Sequence, residues 1–398
     1  MPRLAARAAG LAPSTTAALD ARAKALIADG ADVVNLTGGE AEFPTVAPAA
    51  DAAVAAIEEG FTRYTPAAGM RALRRAVADH LDTAGLHYGP ENVLITAGAK
   101  QALFHAFMAL VDPGDEVLVP APYWVSYPEM IRLAGGAPVP LWSGGSGLRA
   151  ETLAAALTPR TRVLLLNNPG NPTGDVLDRL RVAELVQAAA AHGVTVISDE
   201  IFDHLVYGGE FVRTATLGSE DSVVTVGGFS KTYAMTGWRI GYAAGPASLI
   251  AAMTAIQSHT TSAPSSISQR AALGALSADL TGELERRRQT LDRQRRQVLR
   301  ALAELPLLAV EGRPQGGFFV FLDVSGTYGW VPAGEEVAIA DAAGFAEALL
   351  RRVQVAVVPG ADFGAPNHVR LSFTPAPDQL DEALDRLRAF LTDLSLPA

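Results

Sequence analysis

Hydrophobic and polar positions alternate along this chain in two textures. In the first 280 or so residues, short apolar runs stand at Glu91–Thr96, Glu116–Pro120, Arg162–Leu166, Thr195–Ser198 and Val223–Val226. Each is too short and too uniformly apolar for an amphipathic helix and reads as a strand buried on both faces. Between them lie stretches such as Ala49–Ala56, Gln101–Leu110 and Ala183–Ala191. Alanine has the highest helix propensity, so these read as helices. Asp112-Pro113-Gly114-Asp115 supplies a turn. Buried strands spaced by helices predict an α/β layer structure with a mostly parallel sheet.

The texture changes near Glu283. A long charged helix is predicted over Glu283–Leu305, then an antiparallel strand set (Phe318–Asp323, Val355–Val358, His368–Phe373), then an amphipathic helix over Asp378–Leu394. This predicts a second, smaller α+β domain. The division expected is an N-terminal arm at 1–45 that joins the small domain, a large domain at 46–285 and the small domain proper at 286–398.

Composition narrows the function classes. Of 398 residues, 49% are hydrophobic and 19% charged, which is enough apolar material for a large core. The net charge of −10 argues against a nucleic-acid partner, which needs a basic face. There is no cysteine, so disulfides and thiolate chemistry are excluded. No apolar run approaches the roughly 20 residues of a membrane helix. The Arg-rich opening lacks the apolar segment of a secretory signal, so a cytoplasmic location is expected. Seven histidines show no metal-ligand spacing, and no metal is expected. The basic residues are almost all arginine; the three lysines are Lys24, Lys100 and Lys231. Lys24, within Ala21–Ala28, reads as a solvated helix residue.

Lys231 stands in Gly227-Gly228-Phe229-Ser230-Lys231-Thr232, just after a buried strand and among small residues. That is a setting for Schiff-base chemistry, although a surface lysine in a loop has the same local look. Arg239, eight residues on, could bind a phosphate dianion. Asp199 ends the strand Val194–Ile197 through Ser198, where open α/β sheets place ligands; alone it could equally cap a helix. Asn167-Asn168-Pro169-Gly170-Asn171-Pro172-Thr173-Gly174 is a turn whose prolines and glycines would aim Asn171. Gly144-Gly145-Ser146-Gly147 reads as a plain turn, too weak for a nucleotide loop.

These motifs in order, with Leu36-Thr37-Gly38-Gly39-Glu40, Arg63-Tyr64-Thr65-Pro66, Pro122-Tyr123-Trp124 and His368-Val369-Arg370, resemble the class I, fold-type I, pyridoxal-phosphate-dependent aminotransferases, most of all the bacterial aspartate and aspartate/prephenate group. The resemblance covers nearly the whole chain. It implies a large domain around a mostly parallel seven-stranded sheet, a smaller α+β domain, pyridoxal 5'-phosphate as cofactor and a homodimer with shared active sites. The implied substrates are an acidic L-amino acid and a 2-oxo acid.

The resemblance also implies residue roles. Lys231 would form the imine with the cofactor and shuttle the substrate proton. Asp199 would pair with the cofactor's ring nitrogen, Asn171 with its phenolic oxygen, and Trp124 would lie over its face. Gly98, Ala99 and Lys100 at a helix start, with Ser230, Arg239 and Tyr64 of the other subunit, would hold the phosphate. Arg370 would clamp the α-carboxylate, helped by Asn171, Trp124 and Gly39. Lys100, Ser14 and Thr16 would recognise a second carboxylate. Three departures stand out. Phe202 replaces a tyrosine that would donate to the phenolic oxygen, Glu40-Ala41-Glu42-Phe43 replaces Glu-Pro-Asp-Phe, and His259 is expected near the substrate mouth. They leave open a specialised enzyme for elimination, oxidation or carbon–carbon bond formation on the same scaffold.

Overall fold

A computed structural model describes residues 3–11, 13–142, 148–218 and 221–396. The turn expected at Gly144–Gly147 lies outside the described residues.

Seven strands form the large sheet, in the order Val93–Thr96, Gly241–Ala244, Val223–Gly228, Thr195–Asp199, Thr161–Asn167, Glu116–Ala121, Ala137–Trp142. Gly241–Ala244 is antiparallel to both neighbours and all other pairings are parallel. Five of these strands follow from the apolar runs. The other two have weak local signals. Ala137–Trp142 carries Pro138 and Pro140, which a central strand could not accommodate, and it lies at the sheet edge where a missing N–H is tolerated. Gly241–Ala244 is made of small residues, and its glycine is required by space. A Cβ on Gly241 would stand 2.5 Å from the Ala99 nitrogen.

Apolar clusters cover both sheet faces, one around Leu164, Leu166 and Val196, the other around Leu165, Ile197 and Val224. This alternation along adjacent strands is what a sheet buried on both sides requires.

A smaller sheet runs Val358–Pro359, His368–Ser372, Phe319–Asp323, Ala309–Glu311, all antiparallel. The single strand expected over Val355–Val358 is corrected here. Val358–Pro359 serves this sheet, whereas Val355–Ala356 pairs in parallel with Val34–Asn35. The segment divides because the N-terminal arm brings its own strand to the small domain. Helix Thr15–Ala28 follows it there: Ala23 packs with Leu350 and Ala356, and Arg22 pairs with Glu347 at 2.7 Å. Lys24 lies on the exposed face of that helix, ion-paired to Asp20 at 2.8 Å. The long helix Thr281–Ala303 and the last helix, Pro377–Thr392, pack against each other.

Candidate active site

The carboxyl ends of the large strands converge on one crevice, as expected of an open α/β sheet. Thr195–Asp199 delivers Asp199, in register with Asn167 on one side and Val226 on the other. Val223–Gly228 leads into Ser230 and Lys231, Glu116–Ala121 into Tyr123 and Trp124, and Val93–Thr96 into helix Ala99–Leu110. Across the crevice stand Arg370 and Phe319 of the small sheet. Together with Thr16, Gly39, Ala99, Lys100, Trp124, Asn171, Ser230 and Arg239 they line a cavity of about 280 Å³.

Asp199 is buried. The Tyr127 hydroxyl donates to its Oδ2 at 2.7 Å and the Ile201 N–H to its Oδ1 at 3.2 Å. Burial pushes its carboxyl up to about 6, against the Tyr127 hydrogen bond. Lys231 donates to the Gly39 carbonyl. Burial pulls its amine down to about 8, with Glu40 opposing and Arg370 and Arg239 adding to the shift. Arg370 is buried, donating to Asn171 Oδ1 at 3.2 Å and to the Thr37 carbonyl at 3.0 Å. Its Nε is buried without a hydrogen-bond partner, and burial lowers the guanidinium to about 9.

At the other end of the cavity, helix Ala99–Leu110 begins after Gly98, whose φ is +84°. A Cβ there would stand 2.6 Å from the Arg239 guanidinium, so Gly98 lets the cation sit over the helix start. Lys100 Nζ lies 4.7 Å from the Trp124 ring centroid, and burial and Arg239 together lower its pKa.

Not every expected residue is in place. Ser14 stands at the helix N-cap, outside the cavity lining. It is exposed, and its hydroxyl accepts from the Ala17 N–H at 3.4 Å, because a serine before a helix bonds the helix's own free donors. Thr16 does line the cavity, with a buried hydroxyl that has no partner. Tyr64 is 98% exposed and contributes nothing to this chain's cavity. His259, on the exposed last turn of Ala247–Thr260, is also outside the cavity lining. Phe202 lines the cavity edge-on to Phe318 and Phe319, with centroids 5.2 and 6.1 Å away. The motif reading assigned no role to Tyr127 or Asn167. Tyr127 lies in the first turn of helix Ser126–Leu133, its N–H bonded to the carbonyl of Trp124 at 3.0 Å, and closeness to the Pro122–Trp124 motif was the available signal.

The donor set fits a cofactor with an anionic end and a cationic ring. A guanidinium over a helix N-terminus suits a phosphate. Asp199 is a buried carboxylate whose hydrogen bonds come only from neutral groups, and it suits a cationic ring nitrogen. Lys231, with a lowered pKa, suits an aldehyde. The architecture and site therefore define a fold-type I pyridoxal-phosphate enzyme.

Comparison with known proteins carries this further. The family model for "Aminotransferase class I and II" matches residues 31–387. An aspartate aminotransferase of Geobacillus stearothermophilus is 41% identical, over 98% of this chain and 99% of that protein. An aspartate/prephenate aminotransferase of Cereibacter sphaeroides is 43% identical, over 96% and 97%. The solved structure of the Thermus thermophilus aspartate aminotransferase with maleate superposes with a TM-score of 0.92 at 40% identity, over 98% of this chain and all of that one. The chain belongs to the class I and II aminotransferase family. It is a transferase that moves an amino group between an amino acid and a 2-oxo acid, with pyridoxal 5'-phosphate as cofactor.

Proposed function

We propose that the enzyme is an aspartate- or glutamate-type aminotransferase, with a 2-oxo acid such as 2-oxoglutarate as acceptor. The single observation that carries this is the pair of cations, Arg370 and Lys100, lining one cavity. Arg370 is the partner for an α-carboxylate, and Lys100 beside Trp124 is the partner for a second carboxylate. The names of the relatives support the same substrate class. Their uniform naming gives the specialised alternative no support.

Lys231, Asp199, Asn171, Trp124, Ser230, Arg239 and the Gly98–Lys100 turn would hold the cofactor, which when bound supplies an electron sink for the substrate Cα. Lys231 Nζ, partly neutral near pH 8, would take the Cα proton and deliver it across the substrate nitrogen to the cofactor side, which leaves the amino group behind. Asp199 keeps a negative charge in a dry site, where it acts at full strength on a cation. Tyr127 orients that carboxylate and takes up part of its hydrogen-bonding capacity. Arg370 sets the α-carboxylate, and so the bond to be broken, at a fixed angle. The packed rings of Phe202, Phe318 and Phe319 keep water from one wall.

We also read the chain as half of a homodimer in which the exposed Tyr64 serves the partner's phosphate site. The domain limits we propose are 1–45, 46–285 and 286–398, with the arm counted with the small domain. Among the described residues no helix is long and apolar enough to cross a membrane, and a cytoplasmic site of action is our reading. The test is direct. L-aspartate added to purified holoenzyme should convert the lysine-bound cofactor absorbance to that of the amine form, and 2-oxoglutarate should restore it. Failure with every common amino acid overturns transamination. Conversion by alanine but not by aspartate or glutamate overturns the acidic substrate class. In Lys231→Ala the lysine-bound absorbance should disappear.

A further inference from the structure

A second group of buried charges touches the site one residue away at two points. Arg213 is 8% exposed. Its Nη1 donates to Glu200 Oε2 at 3.0 Å, and its Nη2 to Asp203 Oδ2 at 2.9 Å, with His80 Nε2 at 3.2 Å. Glu200 is fixed further by the Ser198 hydroxyl at 3.0 Å and the Thr214 N–H at 2.9 Å. Asp203 Oδ1 accepts from the Thr232 hydroxyl at 3.5 Å. Glu200 is the chain neighbour of Asp199, and Thr232 is the chain neighbour of Lys231.

His80, Asp203 and His204 bring their ligand atoms within 4.8 Å of one another, a grouping that sequence spacing did not reveal. Arg213 bonds two of the three, so a guanidinium already supplies the positive charge there. Tyr233 and Tyr242 also face this charge group. Burial lowers the affinity of Arg213 for its proton, but Asp203, Tyr242 and Glu200 outweigh it and the guanidinium is held charged.

We propose that Arg213 is a positioning residue for the transfer reaction: through Glu200 and Asp203 it fixes the strand end bearing Asp199 relative to the turn bearing Lys231. This rests on the roles read above for those two residues. The pairing between their strands reaches Asp199 opposite Val226. Four residues, Gly227 to Ser230, separate Val226 from Lys231, and the last two lie in a bend and a turn. A side-chain tie past the end of the ladder therefore has something to hold. Arg213 addresses the two carboxylates from two nitrogens of one rigid plane, a geometry that the single ammonium nitrogen of a lysine does not reproduce. A buried array of this kind gains little over apolar packing in stability, so its distinctive output is orientation.

The test uses holoenzyme carrying Arg213→Lys or Thr232→Val. It measures kcat and KM per cofactor-loaded site, Tm, and the pH midpoint of the lysine-bound cofactor absorbance. Arg213→Lys should lower kcat ~10–100-fold with KM for the amino acid changed less than ~3-fold, because small misplacements of reacting groups are costly. The absorbance midpoint should move by about half a pH unit or more. Thr232→Val, which leaves every charge in place, should lower kcat ~3–10-fold with little change in Tm. If either variant loses Tm while kcat per loaded site and the midpoint stay at wild-type values, Arg213 only stabilises the fold and the proposal falls. Should Arg213→Lys fail to fold, Thr232→Val decides alone. A wild-type enzyme without lysine-bound absorbance, or a Lys231→Ala enzyme that keeps it, overturns the role of Lys231 and is distinguishable from any outcome with the variants.

Discussion

Arg370 and Arg213 are both buried guanidinium groups, and their surroundings are opposite. Arg213 stands between Glu200 and Asp203 and forms ion pairs with both. Arg370 has neutral hydrogen-bond partners, the Asn171 side chain and the Thr37 carbonyl, and its Cζ lies 4.0 Å from the centroid of Phe319. Its Nε has no partner. The carboxylates hold Arg213 above its ordinary pKa, whereas burial alone drops Arg370 to about 9. Two charges of one type thus do different work. The paired one is part of the structure. The unpaired one has no carboxylate partner within the chain, and an external carboxylate would supply its counter-charge. An uncompensated buried cation that opens on a cavity is a signature of anion recognition, and burial by itself is not.

Four experiments sharpen or break this contrast, in order of expected effect. Arg213→Met should cost ~3–5 kcal/mol of unfolding free energy, because Glu200 and Asp203 lose their counter-charge inside the protein. Denaturant unfolding of the cofactor-free chain checks it, and an unchanged midpoint would mean that the cluster relaxes or hydrates. Arg370→Leu should do the reverse. Its kcat/KM for aspartate should fall ~10²–10³-fold, while its Tm holds or rises, since no buried carboxylate is orphaned. A large loss of Tm there would put Arg370 in the same class as Arg213.

A dicarboxylate at about 100 times its Kd should stabilise the wild-type chain by ~2.7 kcal/mol and leave Arg370→Leu almost unmoved. Calorimetry at matched ligand concentrations reads this. Last, Lys100→Met should reduce the preference for aspartate over alanine about 10-fold, the loss of one partly exposed charge contact. A variant that keeps the wild-type preference would remove Lys100 from substrate recognition.

Lys231 sets the pH window. Its folded pKa of about 8 lies below the ordinary value of 10.5, so the folded chain holds fewer protons than the unfolded chain between them. Below pH 8 its buried charge opposes folding in full, and the penalty fades as pH rises from about 8 towards 10.5. The rate at which the cofactor-free protein captures pyridoxal phosphate should accordingly rise with pH and reach half its maximum near pH 8. A half-maximum near 10.5 would place the amine in water.

Much of the site was legible because an α/β sheet gathers local signals. Lys231, Asp199, Asn171, Trp124 and the Gly98–Lys100 turn each follow a buried strand within a few residues, and parallel strands bring such segments to one edge. The residues that were missed act across the chain. Tyr127 reaches Asp199 over 72 positions and Arg213 reaches His80 over 133. No period or spacing encodes those contacts. The cap bond of Ser14 is local, since its own helix, a few atoms away, competes for the hydroxyl. The strand Ala137–Trp142 was missed because its prolines argue against a strand everywhere except at an edge, and edge position is a property of the assembled sheet.

The sequence by itself determined the strand–helix alternation, the residue types at the site and the family they resemble. Those are local properties: periodicity, turn chemistry and motif order. The tertiary structure decided which arginine is paired and which is bare, and how far burial moves Asp199 and Lys231. It also decided which of the expected ligands face the cavity. Solvent exclusion and the distance between charges arise only when remote segments pack. A guanidinium has the same covalent structure at 213 and at 370, and its role is set by what the fold places around it.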